Sequence, residues 1–180
     1  MKNHKLVLQS FMGAFGFTNS LIDALENMTF FEAPASTRFH GAYPGGLFDH
    51  SYEVMRQLVQ LTEENNLKWA NPRSPFIVGL LHDLCKCDAY VVDPESGKIS
   101  LNKNQKITGH GDKSVILVEE LFLYLGIEPL TEEETLCIRW HMGSFDEKEN
   151  WSGYTTAIHQ YPNVLWTHVA DMLASHVAGI

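Results

Sequence analysis

The sequence is poor in cysteine, in positive charge and in long apolar runs, and each shortage removes a class of protein. Three cysteines in 180 residues form an odd set with no secretory signal ahead of it. That excludes a disulfide framework and points to a reducing compartment, so a cytoplasmic location is expected. The opening "MKNHKLVLQSFMGAFGF" has a basic start, but Gln9 and Ser10 interrupt its apolar residues and no clean cleavage site follows; it reads as a folded amphipathic helix. No stretch approaches the ~20 apolar residues of a membrane span, so no membrane partner is expected. With 13 Lys and Arg against 22 Asp and Glu the net charge is −9, and the basic surface on which duplex DNA binding rests is missing. A small phosphorylated substrate stays compatible with that charge, because a bound divalent cation supplies local positive charge. Glycine-rich phosphate loops and Gly-x-Ser-x-Gly elbows are lacking, as are internal repeats, low-complexity tracts and flexible linkers.

What remains is a chain that is 44% hydrophobic and 19% charged, which fits one domain over residues 1–180 with a sizeable core. Helical signals dominate. Residues 18–28 read as a short helix, and the segment from Asp49 to Asn66 carries Val54, Leu58 and Leu61 on one face. Ser74 before Pro75 has the form of an N-cap and first turn, opening a helix to about Lys86. Gly111 to Leu125 reads as a helix closed by Gly126. "TEEE", Thr131 to Glu134, is a capping box that starts a helix reaching about His141, and Asn163 is placed to cap a final apolar helix to about Ala178. Two regions break the pattern. "FFEAPASTRFHGAYPGG" is a long loop ahead of His50 and a candidate substrate wall, while "AYVVDPESGKISL" has the form of a small β-hairpin. The expected fold is an all-α helical bundle with one small hairpin.

Certain polar residues sit where these helices should be apolar. His50 is in phase with Val54, Leu58 and Leu61, and so faces the core. His82 and Asp83 lie inside the apolar run "IVGLLHDLCK", and Asp171 inside "VLWTHVADMLASHVAG". Buried carboxylates are costly unless paired or bound to a cation. A single inward histidine or aspartate is ordinarily just hydrogen-bonded or paired. Together, His50, His82 with Asp83, His110, His141 and Asp171 supply one or two ligands from each of five successive helical elements, as a metal centre inside a bundle requires. Cys85 and Cys87 are two residues apart, about 200° around an α-helix, and cannot chelate one ion together; Cys137 reads as a small buried apolar residue.

The strings "GGLFDHS", "LLHDLCK", "GHGDKSV", "IRWHMG" and "HVADM" resemble, in order and over residues 38–176, the HD-domain metal-dependent phosphohydrolase superfamily. They look most like its small stand-alone bacterial and phage members and the module attached to some bacterial exoribonucleases. The resemblance implies an all-α bundle in which His50, His82, Asp83 and Asp171 bind a first metal, and Asp83 bridges to a second held by His110 and His141. Adjacent helical residues point about 100° apart, which lets His82 bind one ion while the two oxygens of Asp83 reach toward both. Mixed nitrogen and oxygen ligands suit two divalent transition-metal ions, Mn, Fe, Co, Ni or Zn, better than Mg.

The expected activity is therefore phosphate ester hydrolysis by a metal-activated hydroxide, on a nucleotide or another small phosphate mono- or diester. Lys86 matches the lysine that often follows the doublet and takes the role of a phosphate contact. Arg38, His40 and Tyr43 are candidates to touch substrate or to order their loop, Lys113 a candidate to reach the site or remain surface charge, and His168 to orient a ligand, donate a proton or simply satisfy the core. The superfamily leaves two alternatives open, a mixed-valence di-iron oxygenase and a metal-stabilised regulatory module, and a homodimer is compatible with it.

Overall fold

The computed structural model describes residues 4–12, 18–105, 107 and 109–180, the side chains of 11 and 12 aside. Among the described residues there are eight α-helices and one hairpin, an all-α architecture as expected. The helices are α1 (His4–Met12), α2 (Asn19–Asn27), α3 (Gly46–Glu64), α4 (Ser74–Leu81), α5 (His110–Leu125), α6 (Glu132–Trp140), α7 (Trp151–Gln160) and α8 (Asn163–Met172). The N-terminal expectation is met over α1; residues 13–17 of it lie outside the described residues. No described helix is long and apolar enough to cross a membrane.

Helices α3, α4, α6 and α8 pack on one another, and α5 lies against α6. Fully buried Phe30, Leu47, Val54, Leu58, Leu80 and Phe122 fill the space between them, each contributing roughly 1.5–3 kcal/mol of burial. Two glycines set how closely the helices approach. A Cβ on Gly79 would lie 2.4 Å from Met55 Cα, and one on Gly111 would lie 2.1 Å from the Arg139 carbonyl oxygen. The first contact brings α4, which leads into His82, onto α3, which carries His50; the second brings His110 at the start of α5 onto α6, which leads into His141. Both pairs of histidines thus depend on a backbone approach that only glycine permits.

Several boundaries follow their local signals. The Thr131 hydroxyl accepts from Glu134 N–H and the Glu134 carboxylate from Thr131 N–H, a complete capping box. Gly126 ends α5 with a left-handed φ of 66°. Strands β1 (Tyr90–Val92) and β2 (Ile99–Leu101) pair antiparallel with Tyr90 opposite Leu101. Others are corrected. Ser74 does not cap α4: its hydroxyl donates to buried Glu134 Oε1 at 2.9 Å, and Arg73 holds the cap position. Asn163 does not cap α8, because its amide donates to the Lys68 carbonyl and to Glu133, both at 2.8 Å. Helix α4 stops at Leu81, and the chain tightens into a 3-10 turn over Leu84–Asp88. The final helix gives way after Met172 to a π-helical turn, Leu173–Ala178. Helix α7 was not foreseen: Gly153, Thr155 and Thr156 are weak helix formers.

Candidate metal centre

Six residues foreseen as ligands converge at the core of the bundle. His50 comes from the first turns of α3, His82 and Asp83 from the break after α4, His110 from the start of α5, His141 from the end of α6 and Asp171 from α8. The ring centroids of His50 and His82 are 5.3 Å apart, those of His82 and His141 4.7 Å, and those of His110 and His141 5.1 Å. Asp83, 1% exposed, lies between them. Its Oδ2 is 3.4 Å from Nε2 of both His50 and His82, while its Oδ1 is 2.8 Å from His110 Nε2 and 3.4 Å from His141 Nε2. Each carboxylate oxygen therefore faces its own pair of imidazoles. Asp171 Oδ1 adds a second carboxylate 3.2 Å from His50 Nε2.

The outer edges of the rings fix which nitrogen is free. Nδ1 of His82 bonds the Gly79 carbonyl at 2.8 Å, Nδ1 of His141 the Ile138 carbonyl at 2.7 Å and Nδ1 of His50 the main-chain oxygen of Ile180, likewise an acceptor, at 2.9 Å. A carbonyl only accepts, so each Nδ1 carries the proton and donates it. Nε2 of all four histidines and Oδ1 of Asp83 are buried and face only one another and Asp171, with no hydrogen-bond partner outside the cluster. Unpaired buried polar atoms are costly, and four imidazole nitrogens aimed at two carboxylates are a donor set for divalent transition metals. Three overlapping groups of ligand atoms lie within 4.8 Å of one another: His50, His82 and Asp83; His82, His141 and Asp171; Asp83, Cys85 and His110. The residues present fit bound metal.

Electrostatics follow from the same contacts. Burial would raise the Asp83 carboxyl, but Lys86, whose Nζ is 2.6 Å from Oδ2, and the histidines hold it well below its usual range. Lys86 is itself 8% exposed, and Asp83 outweighs burial to push its ammonium upward. Burial lowers His82 and His110. For His50, burial is opposed and exceeded by Asp171 and Asp83, which raise it to about 9. His40 is lowered to about 4 by burial and by His50 and Lys86.

A cavity of about 680 Å³ opens onto this centre. Asp83, Lys86, His110, Asp171 and His40 reach its wall. The remaining expected contacts do not. Arg38 lies against the Phe39 ring, 4.9 Å from its centroid, and Tyr43 donates its hydroxyl to Asp49 at 2.9 Å. Lys113 is buried in an ion pair with Asp88 and bonds Gln105 at 3.1 Å, tying the base of the hairpin to α5. His168 bonds the His141 carbonyl at 2.8 Å and stands behind the ligand, outside the cavity wall. Cys85 is more than packing: its Sγ is 3.6 Å from His110 Nδ1, because the 3-10 turn re-aims the side chains after Asp83. Ser36 lies in the loop expected to form a substrate wall and Tyr90 at the start of the expected hairpin; Met142, Met172, Ser175 and His176 at the wall were not foreseen.

A helical bundle whose inner histidines and aspartates close on one buried cluster defines a metal-binding α-helical domain. The HD domain family model matches residues 47–175, and the chain belongs to the HD-domain family, whose members are mostly metal-dependent phosphohydrolases. No curated protein and no solved structure matches the chain.

Proposed function

We propose that the protein is a phosphohydrolase that cleaves small phosphate esters with two divalent transition-metal ions. The observation that carries this reading is Asp83, set between two pairs of histidines whose buried Nε2 atoms all face the carboxylates of the cluster and no partner outside it. His50, His82, Asp171 and Oδ2 of Asp83 would hold one ion; Oδ1 of Asp83, His110 and His141 the other. Bound there, the ions would supply Lewis-acid activation of water and of a phosphoryl oxygen.

The chain's own residues orient the reactants. Lys86 reaches the cavity wall with its charge secured by Asp83, and contacts the phosphoryl group as a fixed positive charge. His40, neutral at pH 7 because its value is about 4, offers an uncharged ring nitrogen beside it. His168 positions His141 through the bond to its carbonyl. In the net reaction water adds to phosphorus, the bond from phosphorus to the leaving oxygen breaks, and that oxygen takes up a proton. Purified protein loaded with Mn and held under strict anaerobiosis is expected to release phosphate or cleave a phosphodiester. Turnover that requires oxygen, with a mixed-valence signal in the iron-loaded protein, would overturn the reading.

A further inference from the structure

Phosphate ester hydrolysis ends with a proton on the leaving oxygen, and the groups on the cavity wall differ in whether they can supply it. The Lys86 ammonium is engaged by Asp83 at 2.6 Å, which pushes it upward and makes it a poor proton donor. Burial raises the Tyr90 hydroxyl, with the same consequence. Three histidines are among the described residues of the wall, His40, His110 and His176. His110 faces Asp83 through Nε2 at 2.8 Å, and His40 packs against the His50 ring with 4.7 Å between centroids, so both belong to the cluster. His168 bonds the His141 carbonyl and stands outside the wall. His176 is left, a solvent-exposed ring that reaches the wall from beyond α8.

That ring is held in one orientation. Ser175 and His176 lie in the π-helical turn Leu173–Ala178 that follows α8, a rare geometry found frequently at functional sites. The Ser175 hydroxyl donates its one proton to the Asp171 carbonyl at 2.8 Å. Toward His176 Nδ1, also at 2.8 Å, its oxygen therefore accepts. Nδ1 carries a proton whether the ring is neutral or charged, and Nε2 is the nitrogen that gains or loses one. The ring face stacks with Phe145 of the same wall, with 6.4 Å between centroids and 23° between planes. An imidazole fixed at Nδ1 by an adjacent acceptor, with Nε2 left for a reacting group, has the arrangement of a general acid or base. Asp171, whose carbonyl anchors the relay, also brings a carboxylate to the cluster, which ties the position of the ring to the centre.

We infer that His176 is the general acid of the hydrolysis, giving its Nε2 proton to the leaving oxygen while Ser175 holds Nδ1. The role rests on the phosphohydrolase reading. As the bond from phosphorus to that oxygen breaks, its electron pair goes to the oxygen and the oxygen takes the proton. The neutral ring then regains a proton from solvent through its exposed side. A leaving group that is stable as an anion has little need of such a proton, and this separates an acid from a residue that only shapes the wall. The test compares the Mn-loaded parent with His176→Gln, Ser175→Ala and Leu123→Ala. Each is assayed on para-nitrophenyl phosphate and phenyl phosphate, and on bis(para-nitrophenyl) phosphate and diphenyl phosphate. His176→Gln is expected to lose roughly 10²- to 10⁴-fold in kcat on the phenyl esters and less than about tenfold on the nitrophenyl esters, at unchanged metal content and unfolding midpoint. Ser175→Ala is expected to show the same selective loss to a smaller extent, and Leu123→Ala on the outer face of α5 none. Equal loss on both leaving groups, or no loss on the phenyl esters, overturns the assignment and leaves the phosphohydrolase reading in place. So does a parent that cleaves the nitrophenyl esters alone. A parent that hydrolyses none of the esters overturns the phosphohydrolase reading, and the acid role with it.

Discussion

Replacing Asp83 with alanine has a consequence for stability that is separate from the loss of metal, and it can be measured with a chelator present. Lys86 is 8% exposed, and its Nζ sits 2.6 Å from Asp83 Oδ2. Removing the carboxylate leaves an ammonium buried without that counter-charge, which in comparable buried pairs costs about 3–5 kcal/mol. Against a total stability of about 5–15 kcal/mol the loss is large, and for a chain of this length it corresponds to a fall in Tm of roughly 6–20 °C. The sign with pH is fixed by the two shifts. The depressed Asp83 carboxyl contributes above the unfolded aspartate range and is lost as pH falls; the raised Lys86 ammonium contributes below the unfolded lysine value and is lost at high pH. At pH 7 both are present. Urea unfolding at pH 7 in chelator should therefore show Asp83→Ala strongly destabilised, and Asp83→Ala with Lys86→Met recovering most of the loss, since a buried pair replaced by apolar groups is close to neutral. If Asp83→Ala lies within about 0.5 kcal/mol of the parent, or if Lys86→Met adds to the loss rather than offsetting it, the pair does not have the energetic role its burial assigns.

Three further outcomes follow from the surroundings of the histidines. His50 in the metal-free protein is raised to about 9, so its stabilising contribution is present below the unfolded histidine value and fades as pH rises through 9; metal needs the neutral ring, so uptake at pH 7 should release close to one proton from this site and tighten up to about pH 9, as read by calorimetry in buffers of different ionisation enthalpy. His110 Nδ1 has the Cys85 sulfur at 3.6 Å where the other three rings have main-chain oxygens at 2.7–2.9 Å; in the proposed two-ion centre, Cys85→Ala should weaken the ion assigned to His110 about tenfold and leave the other unchanged, and a titration in which both or neither move contradicts this. A chain ending at Ala178 lacks the Ile180 main-chain oxygen that holds His50, and should lose roughly 10- to 100-fold in affinity for the ion proposed there in competition against a chelator; Ile180→Ala keeps that oxygen and should bind normally, whereas equal loss in both would assign the effect to side-chain packing.

The parts of this fold legible in the sequence are those announced by a local side-chain signal. Thr131 with Glu134, Gly126, and the Pro-Glu-Ser-Gly turn of the hairpin each act within a few residues, and each boundary falls where they place it. The inward polar positions were legible for a related reason: a histidine or aspartate in phase with Val54 and Leu58, or inside "IVGLLHDLCK", is conspicuous because the core excludes it. What was not legible is set by distant partners. Asn163 and Ser74 have the residue types of helix caps, but Glu133 and Glu134 arrive from α6 and take their side-chain donors. The oxygens of Gly79, Ile138 and Ile180 that orient three of the clustered histidines are main-chain atoms, and no residue type marks them.

The break after Leu81 is the most consequential of these hidden features. Nothing in "LLHDLCKC" ends a helix, and an α-helix continued through Lys86 would turn 100° per residue, leaving Lys86 offset by about 60° from Asp83 and sending Cys85 about 200° around the axis. In the 3-10 turn that forms instead, Lys86 N–H donates to the Asp83 carbonyl at 2.9 Å, and residues three apart eclipse. That stacks the Lys86 ammonium over the Asp83 carboxylate and turns Cys85 toward His110. The turn type exists because the side chains on either side of it are held: Gly79 presses α4 onto Met55, and Asp83 is fixed among four rings. Local backbone geometry at the doublet is thus a product of the assembled centre, and a substitution that loosens the α3 and α4 contact, such as Gly79→Ala, should disturb Lys86 and Cys85 before it disturbs the rest of the bundle.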